Sequence, residues 1–157
     1  MRLEYFQLID RIVDLNLADR KISAEATIPT TSTIFEGHFP GFPLMPGVLL
    51  LETMAQTSGW LVLAVIRFER MAFLAAIKDV KFRMFARPGQ ILSVKATLAH
   101  EGSGYAVTAA SIALDDKTIC EAELTLRLMD FPNDQMRLHM REAATQIGLP
   151  IGAAADG

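Results

Sequence analysis

Two titratable side chains stand in surroundings that suit acid–base chemistry. Glu52 interrupts an apolar run between Val48 and Ala55, and burying a carboxylate without partners is energetically costly. Gln56 follows Glu52 by four residues, so it shares a helical face with that acid and can hydrogen-bond to it. His38 lies in a segment rich in proline and glycine, and a histidine held in such a loop can act as a general base. One histidine and one buried acid are a pair that suits general acid–base catalysis.

Other kinds of catalytic site lack their characteristic residues. The three histidines do not have the spacing of a metal site, and no cluster of carboxylates accompanies them. The single cysteine, Cys120, lies in a strand-like segment and is predicted to be a small core residue. Ser58 falls inside a predicted helix rather than on a strand-to-helix turn, and no phosphate-binding glycine pattern is present. We therefore expect no metal and no cofactor.

Each candidate also has a purely structural explanation. Glu52 would be a structural acid if it paired with a lysine or arginine, or if it reached solvent at the start of a helix. His38 would be a satisfied loop histidine or a surface residue, whereas His100 and His139 are predicted to lie at the surface. The residue types and their spacing leave these alternatives open.

A long helix and the loop before it must position both candidates. Prolines and glycines make up half of residues 36–47, which predicts an irregular loop, and the apolar residues among them predict that it packs against the protein. Residues 30–33 carry hydroxyl groups and are predicted to be loop as well. Pro46 suits a helix start, and residues 48–68 are apolar almost all round, which predicts a helix buried on every side.

The remaining chain has the alternation and turn signals of strands. Strands are predicted at residues 6–15, 21–28, 73–82, 91–100, 105–114 and 118–128. Two strands, one long helix and about four further strands predict an α+β fold in which an antiparallel sheet wraps around a helix. Residues 133–147 are predicted to form an amphipathic helix, and residues 148–157 a frayed tail. We accordingly divide the chain into a main domain at residues 1–132 and an extension at residues 133–157.

Composition and charge exclude several functional classes. The 157 residues are 51% hydrophobic and 21% charged, which is typical of a globular domain and not of a disordered protein. A net charge of −3 gives no indication of a nucleic-acid surface. The longest apolar run, residues 53–66, is shorter than the roughly 20 residues of a membrane span. The first ten residues mix charged and apolar side chains, unlike a secretory signal, so we expect a cytoplasmic protein.

One long motif identifies a family. Residues 37–56, GHFPGFPLMPGVLLLETMAQ, closely resemble the signature of the 3-hydroxyacyl-[acyl-carrier-protein] dehydratases of bacterial fatty-acid synthesis. Weaker similarity at residues 6–11, 78–83, 87–90 and 120–124 extends the resemblance over roughly residues 5–128. It implies the hotdog fold, an antiparallel β-sheet wrapped around a long central α-helix, in agreement with the predicted elements.

The resemblance also assigns roles to particular residues. His38 matches the histidine that removes a proton from C2 of the acyl thioester, and Glu52 matches the acid that protonates the departing C3 hydroxyl. Gly47 matches the glycine whose backbone N–H binds the thioester carbonyl, as a helix N-terminus suits a developing enolate oxygen. Gln56 matches a glutamine that orients the acid. An apolar setting favours the protonated acid that this reaction needs.

The family's assembly and partners are implied in the same way. Its members form dimers in which the histidine of one subunit meets the acid of the other, so His38 and Glu52 of one chain would serve different sites. A homodimer is therefore expected, with assembly into a trimer of dimers left open. The acyl chain would lie in an apolar tunnel and arrive on the phosphopantetheine of an acidic acyl carrier protein. Four basic residues are the predicted rim for that partner, or else an ordinary solvated edge: Lys78, Lys81, Arg83 and Arg87.

Two departures from the family pattern and two alternative functions accompany this prediction. The chain lacks the Pro-His-Arg segment that usually precedes the first strand, and it continues past Asp130, beyond the usual family end. A glutamate partner for the histidine resembles the dehydratase-only branch, so no double-bond isomerisation is expected. The alternatives are a hotdog acyl thioesterase and a non-catalytic acyl-binding subunit of a heterodimer. The complete set of His38, Glu52 and Gly47 favours elimination, because hydrolysis needs no base at C2.

Overall fold

Backbone pairing joins six strands of the described part of the chain in one antiparallel sheet. The computed structural model describes residues 1–151. The strands are β1 (Arg11–Asn16), β2 (Lys21–Thr27), β3 (Met71–Phe82), β4 (Ile91–Gly102), β5 (Tyr105–Leu114) and β6 (Lys117–Met129). Their order in the sheet is β1-β2-β4-β5-β6-β3, with every neighbouring pair antiparallel. Among the described residues, β3 therefore pairs with β6 alone and forms one edge of the sheet.

The long helix α2 (Gly47–Val65) packs on the apolar face of this sheet. In β4, for example, Leu92, Val94 and Ala96 are buried while the residues between them are exposed, as the two-residue period of a strand requires. The core lies between this face and α2, which is the α+β arrangement predicted from the sequence.

The expectation that α2 is buried on every side is wrong for this chain. Leu50, Met54 and Leu61 are buried, but Val48 is 71% exposed and Glu52 is only partly covered. The physical reason is that one sheet has one apolar face, so it covers only one side of a helix.

α2 is also longer than the apolar run of residues 53–66 suggested, because the helix continues through Glu52 to Gly47. By length and composition alone it would be able to cross a membrane, and half of its most apolar stretch is buried inside the protein. A helix buried to that extent is typical of a protein core. It ends at Val65, three residues earlier than predicted, where Arg67 and Phe68 adopt positive φ angles.

Two predictions for the first 40 residues are wrong. The first strand begins at Arg11 rather than at residue 6, because Leu3–Tyr5 form a 3-10 turn that Phe6 ends with a φ of 57°. A short helix, α1 (Thr33–Gly37), lies where the predicted loops of residues 30–33 and 36–47 approach each other. Its N-cap is Ser32, whose hydroxyl accepts a hydrogen bond from the Ile34 N–H at 3.2 Å.

The C-terminal helix α3 (Asp134–Gln146) confirms the predicted helix there. The Asn133 side chain caps it by accepting a 2.8 Å hydrogen bond from the Met136 N–H, and Ala144 is completely buried. The prediction of a frayed tail fails at Leu149, which is buried and donates its N–H to the Ala144 carbonyl at 2.9 Å. Residues 152–157 of that predicted tail lie outside the described residues. The domain division after residue 132 stays a prediction.

Candidate active site

His38 is held by hydrogen bonds from within its own loop. It follows α1 directly, and its N–H donates to the Ile34 carbonyl at 3.0 Å while its carbonyl accepts from the Leu44 N–H at 2.9 Å. The imidazole ring stacks on the neighbouring Phe39 ring with 4.1 Å between centroids. Backbone and ring are thus both fixed by residues within six positions along the chain.

A further contact determines which ring nitrogen of His38 carries the proton. Nδ1 lies 2.9 Å from the Leu44 carbonyl oxygen, and a carbonyl oxygen only accepts. Nδ1 is therefore the donor, and in the neutral ring Nε2 holds the free lone pair. This tautomer makes Nε2 the atom able to remove a proton from a ligand.

The His38 ring lines a cavity of about 850 Å³ at the start of α2. Most of its wall is apolar and includes Phe39, Leu44, Met45, Phe82, Met84 and Phe85. Two cations, Arg83 and Arg87, line the same cavity. An apolar cavity with one base and a cationic margin suits a ligand that has an apolar body and a negatively charged attachment.

Gly47 places the N-terminus of α2 in this cavity. The first N–H groups of a helix have no acceptor within the helix, and the macrodipole makes that end partially positive. A Cβ atom at position 47 would lie 3.1 Å from the Phe82 ring, which is tighter than most Cβ contacts in proteins. Glycine therefore keeps the helix terminus close to the aromatic wall. The importance of Phe82 was not foreseen from the sequence.

Glu52 is oriented by Gln56, as the spacing of the two residues predicted. The Gln56 Oε1 accepts a 3.0 Å hydrogen bond from the Leu8 N–H, so the amide nitrogen must face the other way. That nitrogen donates to the Phe6 carbonyl at 2.9 Å and to Glu52 Oε1 at 3.1 Å. With Oε1 occupied as an acceptor, Glu52 Oε2 is the oxygen left to carry a proton.

Glu52 and Gln56 line a second cavity, of about 430 Å³, which does not include His38. Its walls come from distant parts of the chain: the N-terminal segment, α2, β3, β6 and α3. The aromatic residues among them are Tyr5, Phe6 and Trp60. The contribution of α3 was missed, although the amphipathic pattern of residues 133–147 had indicated a packed helix.

The structure separates the predicted basic rim into two groups. Arg83 and Arg87 line the His38 cavity, whereas Lys78 and Lys81 line neither cavity described above. Lys81 instead pairs with Glu121 at 3.5 Å and borders a shallow groove on the exposed face of the sheet. The sequence could not make this division, because it depends on where the edge strand β3 ends relative to the His38 loop.

Glu4 connects the segments that carry the two cavities. Its Oε1 accepts a 2.8 Å hydrogen bond from the Ser32 hydroxyl and a longer one, at 3.3 Å, from the Thr33 N–H. The Ser32 hydrogen bond is the main reason why the pKa of Glu4 is lowered from its ordinary value. The N-terminal segment is thereby attached to α1, which leads directly into His38.

Sequence comparison identifies the family. Residues 2–123 match the family model described as a FabA-like domain. The chain is 35% identical to the 3-hydroxyacyl-[acyl-carrier-protein] dehydratase FabZ of Chlamydia pneumoniae over 128 residues, which cover 80% of this chain and 84% of that protein. It is 39% identical to the FabZ of Latilactobacillus sakei subsp. sakei over 119 residues, covering 75% and 84% respectively. The chain belongs to the 3-hydroxyacyl-[acyl-carrier-protein] dehydratase family. The family predicted from the motif is thus confirmed.

Solved structures similar to this dehydratase-family chain confirm the hotdog fold. The dehydratase heterocomplex ApeI:P from Xenorhabdus doucetiae matches with a TM-score of 0.64 at 14% identity, over 87% of this chain and 90% of that one. A hypothetical thioesterase with coenzyme A from Streptococcus pneumoniae matches with a TM-score of 0.61 at 14% identity, over 78% and 88%. At such low identity these similarities establish the fold and not the reaction.

Proposed function

We propose that this protein dehydrates (3R)-3-hydroxyacyl-[acyl-carrier-protein] to the trans-2-enoyl thioester in fatty-acid biosynthesis, with His38 as base and Glu52 as acid. Family membership supports the reaction, which is the one predicted from the sequence. The observation that carries the residue assignment is the 2.9 Å contact between His38 Nδ1 and the Leu44 carbonyl. It leaves the Nε2 lone pair free on a ring that lines an apolar cavity.

The first half of the elimination uses His38 and Gly47. His38 Nε2 takes the proton from C2 of the acyl chain, and the electron pair moves toward the thioester carbonyl oxygen. The N–H of Gly47, at the positive end of α2 and in the same cavity, stabilises that oxygen. The imidazolium is stabilised by its Nδ1–H hydrogen bond to the Leu44 carbonyl.

The second half uses Glu52 and Gln56. The bond between C3 and oxygen breaks as the C2–C3 double bond forms, and Glu52 Oε2 donates its proton so that water leaves. Gln56 holds Oε1 by a 3.1 Å hydrogen bond and is itself held by the backbone of Phe6 and Leu8. We therefore assign Gln56 a positioning role. The elimination is neither an oxidation nor a reduction, so it requires no redox cofactor.

We further propose a homodimer, because His38 and Glu52 line different cavities of one chain. Two chains would have to combine so that the His38 of one subunit approaches the Glu52 of the other. The free edge of β3 supports such an interface, because Phe73, Leu74 and Phe82 are exposed along this strand. Exposed apolar residues on a free strand edge are typical of an interface between subunits.

The substrate's carrier is proposed to approach the His38 cavity. Arg83 and Arg87 line it, and each is partly ordered by a neighbour: Arg83 pairs with Glu121 at 2.6 Å, and the Arg87 guanidinium lies 5.3 Å from the centre of the Phe42 ring. A phosphopantetheine phosphate and an acidic carrier protein both suit such a margin. Lys78 and Lys81 lie further from this cavity along β3, so they would attract the acidic carrier protein only at long range. A reaction of this kind is expected in the cytoplasm.

Hydration of trans-2-enoyl thioesters, followed by loss of their absorbance, tests the proposed reaction in reverse. Wild type should hydrate crotonyl and longer substrates on coenzyme A or carrier protein. His38→Ala and Glu52→Gln should each lower the rate by about 10² to 10⁴. The exposed residues His100 and Glu69 provide the matched controls His100→Ala and Glu69→Gln, which should retain wild-type rates. Absence of turnover with every chain length on both carriers would favour the non-catalytic acyl-binding subunit instead.

Product analysis in the same assay separates the two remaining reactions. With trans-2-decenoyl thioester we expect no cis-3 product, because the acid is glutamate; substantial conversion would contradict the dehydratase-only prediction. Release of free thiol from an acyl thioester would indicate hydrolysis. The thioesterases with a similar structure share the fold at only 14% identity, so they give no independent support for that alternative.

A further inference from the structure

The C-terminal helix α3 forms one wall of the Glu52 cavity. Residues that line the cavity recur along α3 at steps of three or four, which places them on one face of the helix. They are His139, Met140, Ala143, Gln146 and Ile147. The family match ends at residue 123, so this wall is built by a part of the chain outside that match.

Hydrogen bonding places the start of this wall far from Glu52. On α2 the cavity is lined by residues at similar helical steps, from Glu52 to Leu63, a rise of about 16 Å along the helix axis. The side chain of Arg141 donates to the Arg67 carbonyl at 3.3 Å, beyond the last residue of α2. Its neighbour Met140 therefore lies toward the end of the cavity that is remote from Glu52.

Contacts at its C-terminal end hold α3 in place. The Ile12 N–H in β1 donates to the Ile147 carbonyl at 2.7 Å, and Leu149, just past the helix, is buried in the core. Ala144 is fully buried in the core. A helix anchored in this way is a fixed wall, and it cannot move aside without breaking backbone hydrogen bonds and exposing apolar surface.

We propose that α3 sets the longest acyl chain that this protein accepts, with Met140 and Ala143 contacting the methyl end of the chain. This inference rests on the proposed function, because it places the reacting end of the substrate at Glu52. The remaining lining between Glu52 and α3 is mostly apolar and includes Leu63, Met71 and Leu126. Such a surface binds methylene groups, and the number of them that fit is limited by where the wall stands.

Two substitutions on α3 move the wall in opposite directions. Ala143→Leu fills part of the cavity, and Met140→Ala enlarges it. Glu142→Leu is the matched control, because residue 142 is exposed on the same helix and does not line the cavity. Hydration rates are measured for crotonyl, trans-2-decenoyl and trans-2-hexadecenoyl thioesters.

The expected result is a change in the ratio of the hexadecenoyl rate to the crotonyl rate. Ala143→Leu should lower this ratio by about tenfold or more, the effect of a small mismatch in an apolar pocket, and Met140→Ala should raise it. Glu142→Leu should keep the wild-type ratio. If the wild type turns over and neither cavity variant changes the ratio, the inference is overturned.

Binding provides a readout that does not depend on catalysis. Trp60 is the single tryptophan of the chain and lines the same cavity, so its fluorescence reports occupancy by saturated acyl-CoA probes of increasing length. If the wild type shows no hydration, the proposed function fails on its own. A length limit in binding that Ala143→Leu shortens would still support the role of α3, whereas length-independent binding in all variants would overturn it.

Discussion

His38 and Glu52 are held in place in opposite ways. The contacts that fix His38 come from Ile34, Phe39 and Leu44, all within six residues of it along the chain. Glu52 is fixed through Gln56, whose other partners are Phe6 and Leu8, about fifty residues away. One half of the proposed chemistry is therefore locally determined, and the other half exists only once the N-terminal segment has docked on α2.

This difference has a consequence for how each half fails. Local hydrogen bonds persist wherever the loop itself is formed, so the geometry around His38 should withstand changes elsewhere in the molecule. The Glu52 half depends on long-range packing and should be lost first when that packing is weakened. Each half also contains a residue whose signal reports its packing. Trp60, through its fluorescence, reports on the Glu52 cavity that it lines. Cys120, through the reactivity of its thiol, reports on the His38 side, because it lies opposite Phe82, a wall residue of the His38 cavity.

The largest expected effect concerns the combination of the two halves between subunits. His38→Ala and Glu52→Gln should each lose about 10² to 10⁴ in hydration rate. When the two inactive variants are unfolded and refolded together, activity should reappear, because a mixed dimer contains one site with both native residues. The double variant carried through the same procedure should stay inactive. Mixed dimers that form without any recovery of activity would contradict a site shared between chains.

A smaller loss of activity is expected from a substitution at the start of α2. Gly47→Ala brings a Cβ to 3.1 Å from the Phe82 ring, so either the ring or the helix terminus must shift. Displacing a group that binds the reacting atoms by a fraction of an ångström should cost about tenfold or more in kcat/KM. Phe82→Ala in the same chain should restore part of that loss, because Phe82 is half exposed and its removal makes room.

Gly59→Ala is the matched glycine change on the Glu52 side. An added Cβ at position 59 meets no atom within 4 Å, so the substitution should raise the free energy of unfolding by about 1 kcal/mol through helix propensity alone. Denaturant unfolding measures the free energy of unfolding of both glycine variants. Equal stability changes at positions 47 and 59 would show that Phe82 does not constrain the helix start.

Loss of the hydrogen bonds that join Gln56 to Phe6 and Leu8 should lower both stability and activity. Gln56→Leu leaves the Leu8 N–H without its acceptor beside a completely buried side chain, and an unsatisfied polar group of this kind costs about 1–3 kcal/mol. Denaturant unfolding should show that decrease, accompanied by slower hydration because Glu52 is no longer oriented. The control is Gln135→Leu, at an exposed position of α3, which should change neither quantity.

The smallest expected effect is the reactivity of Cys120. Burial, with a smaller contribution from the neighbouring Glu121 carboxylate, raises the pKa of the Cys120 thiol to about 11. Its reactive thiolate at pH 8 is therefore scarce, and iodoacetamide should label the folded protein slowly but the urea-unfolded protein readily. Since the folded state holds this proton more tightly, stability should fall as the pH rises toward 11. Rapid labelling of the folded protein at pH 8 would contradict the burial of Cys120.

The elements that the sequence predicted well are those whose signals are local. Alternation located the strands, with β5 found at the predicted residues 105–114, and Pro46 together with the apolar run located α2. The motif at residues 37–56 contained both candidate catalytic residues and the correct family. The pairing of Gln56 with Glu52 was also predictable, because residues four apart on a helix are neighbours.

The incorrect predictions share a different cause. Alternation alone did not reveal that residues 3–5 turn before β1 begins, because that turn is held by contacts rather than by a pattern. The short helix α1 was missed because it has only five residues and depends on the Ser32 cap and on Glu4. Leu149 looked like part of a frayed tail because its burial in the core depends on residues distant in the chain that folding brings to it.

By itself, the sequence determined the family, the order of the elements, and the chemical types of the candidate acid and base, since these depend on residue identity and short-range spacing. Only the tertiary structure decided that His38 and Glu52 of one chain line separate cavities. It also decided that the His38 cavity is lined by Arg83 and Arg87 but not by Lys78 and Lys81, and that α3 forms one wall of the Glu52 cavity. Those outcomes depend on how segments far apart in the chain come together in the fold. Side-chain contacts across such distances leave no periodic trace in the sequence.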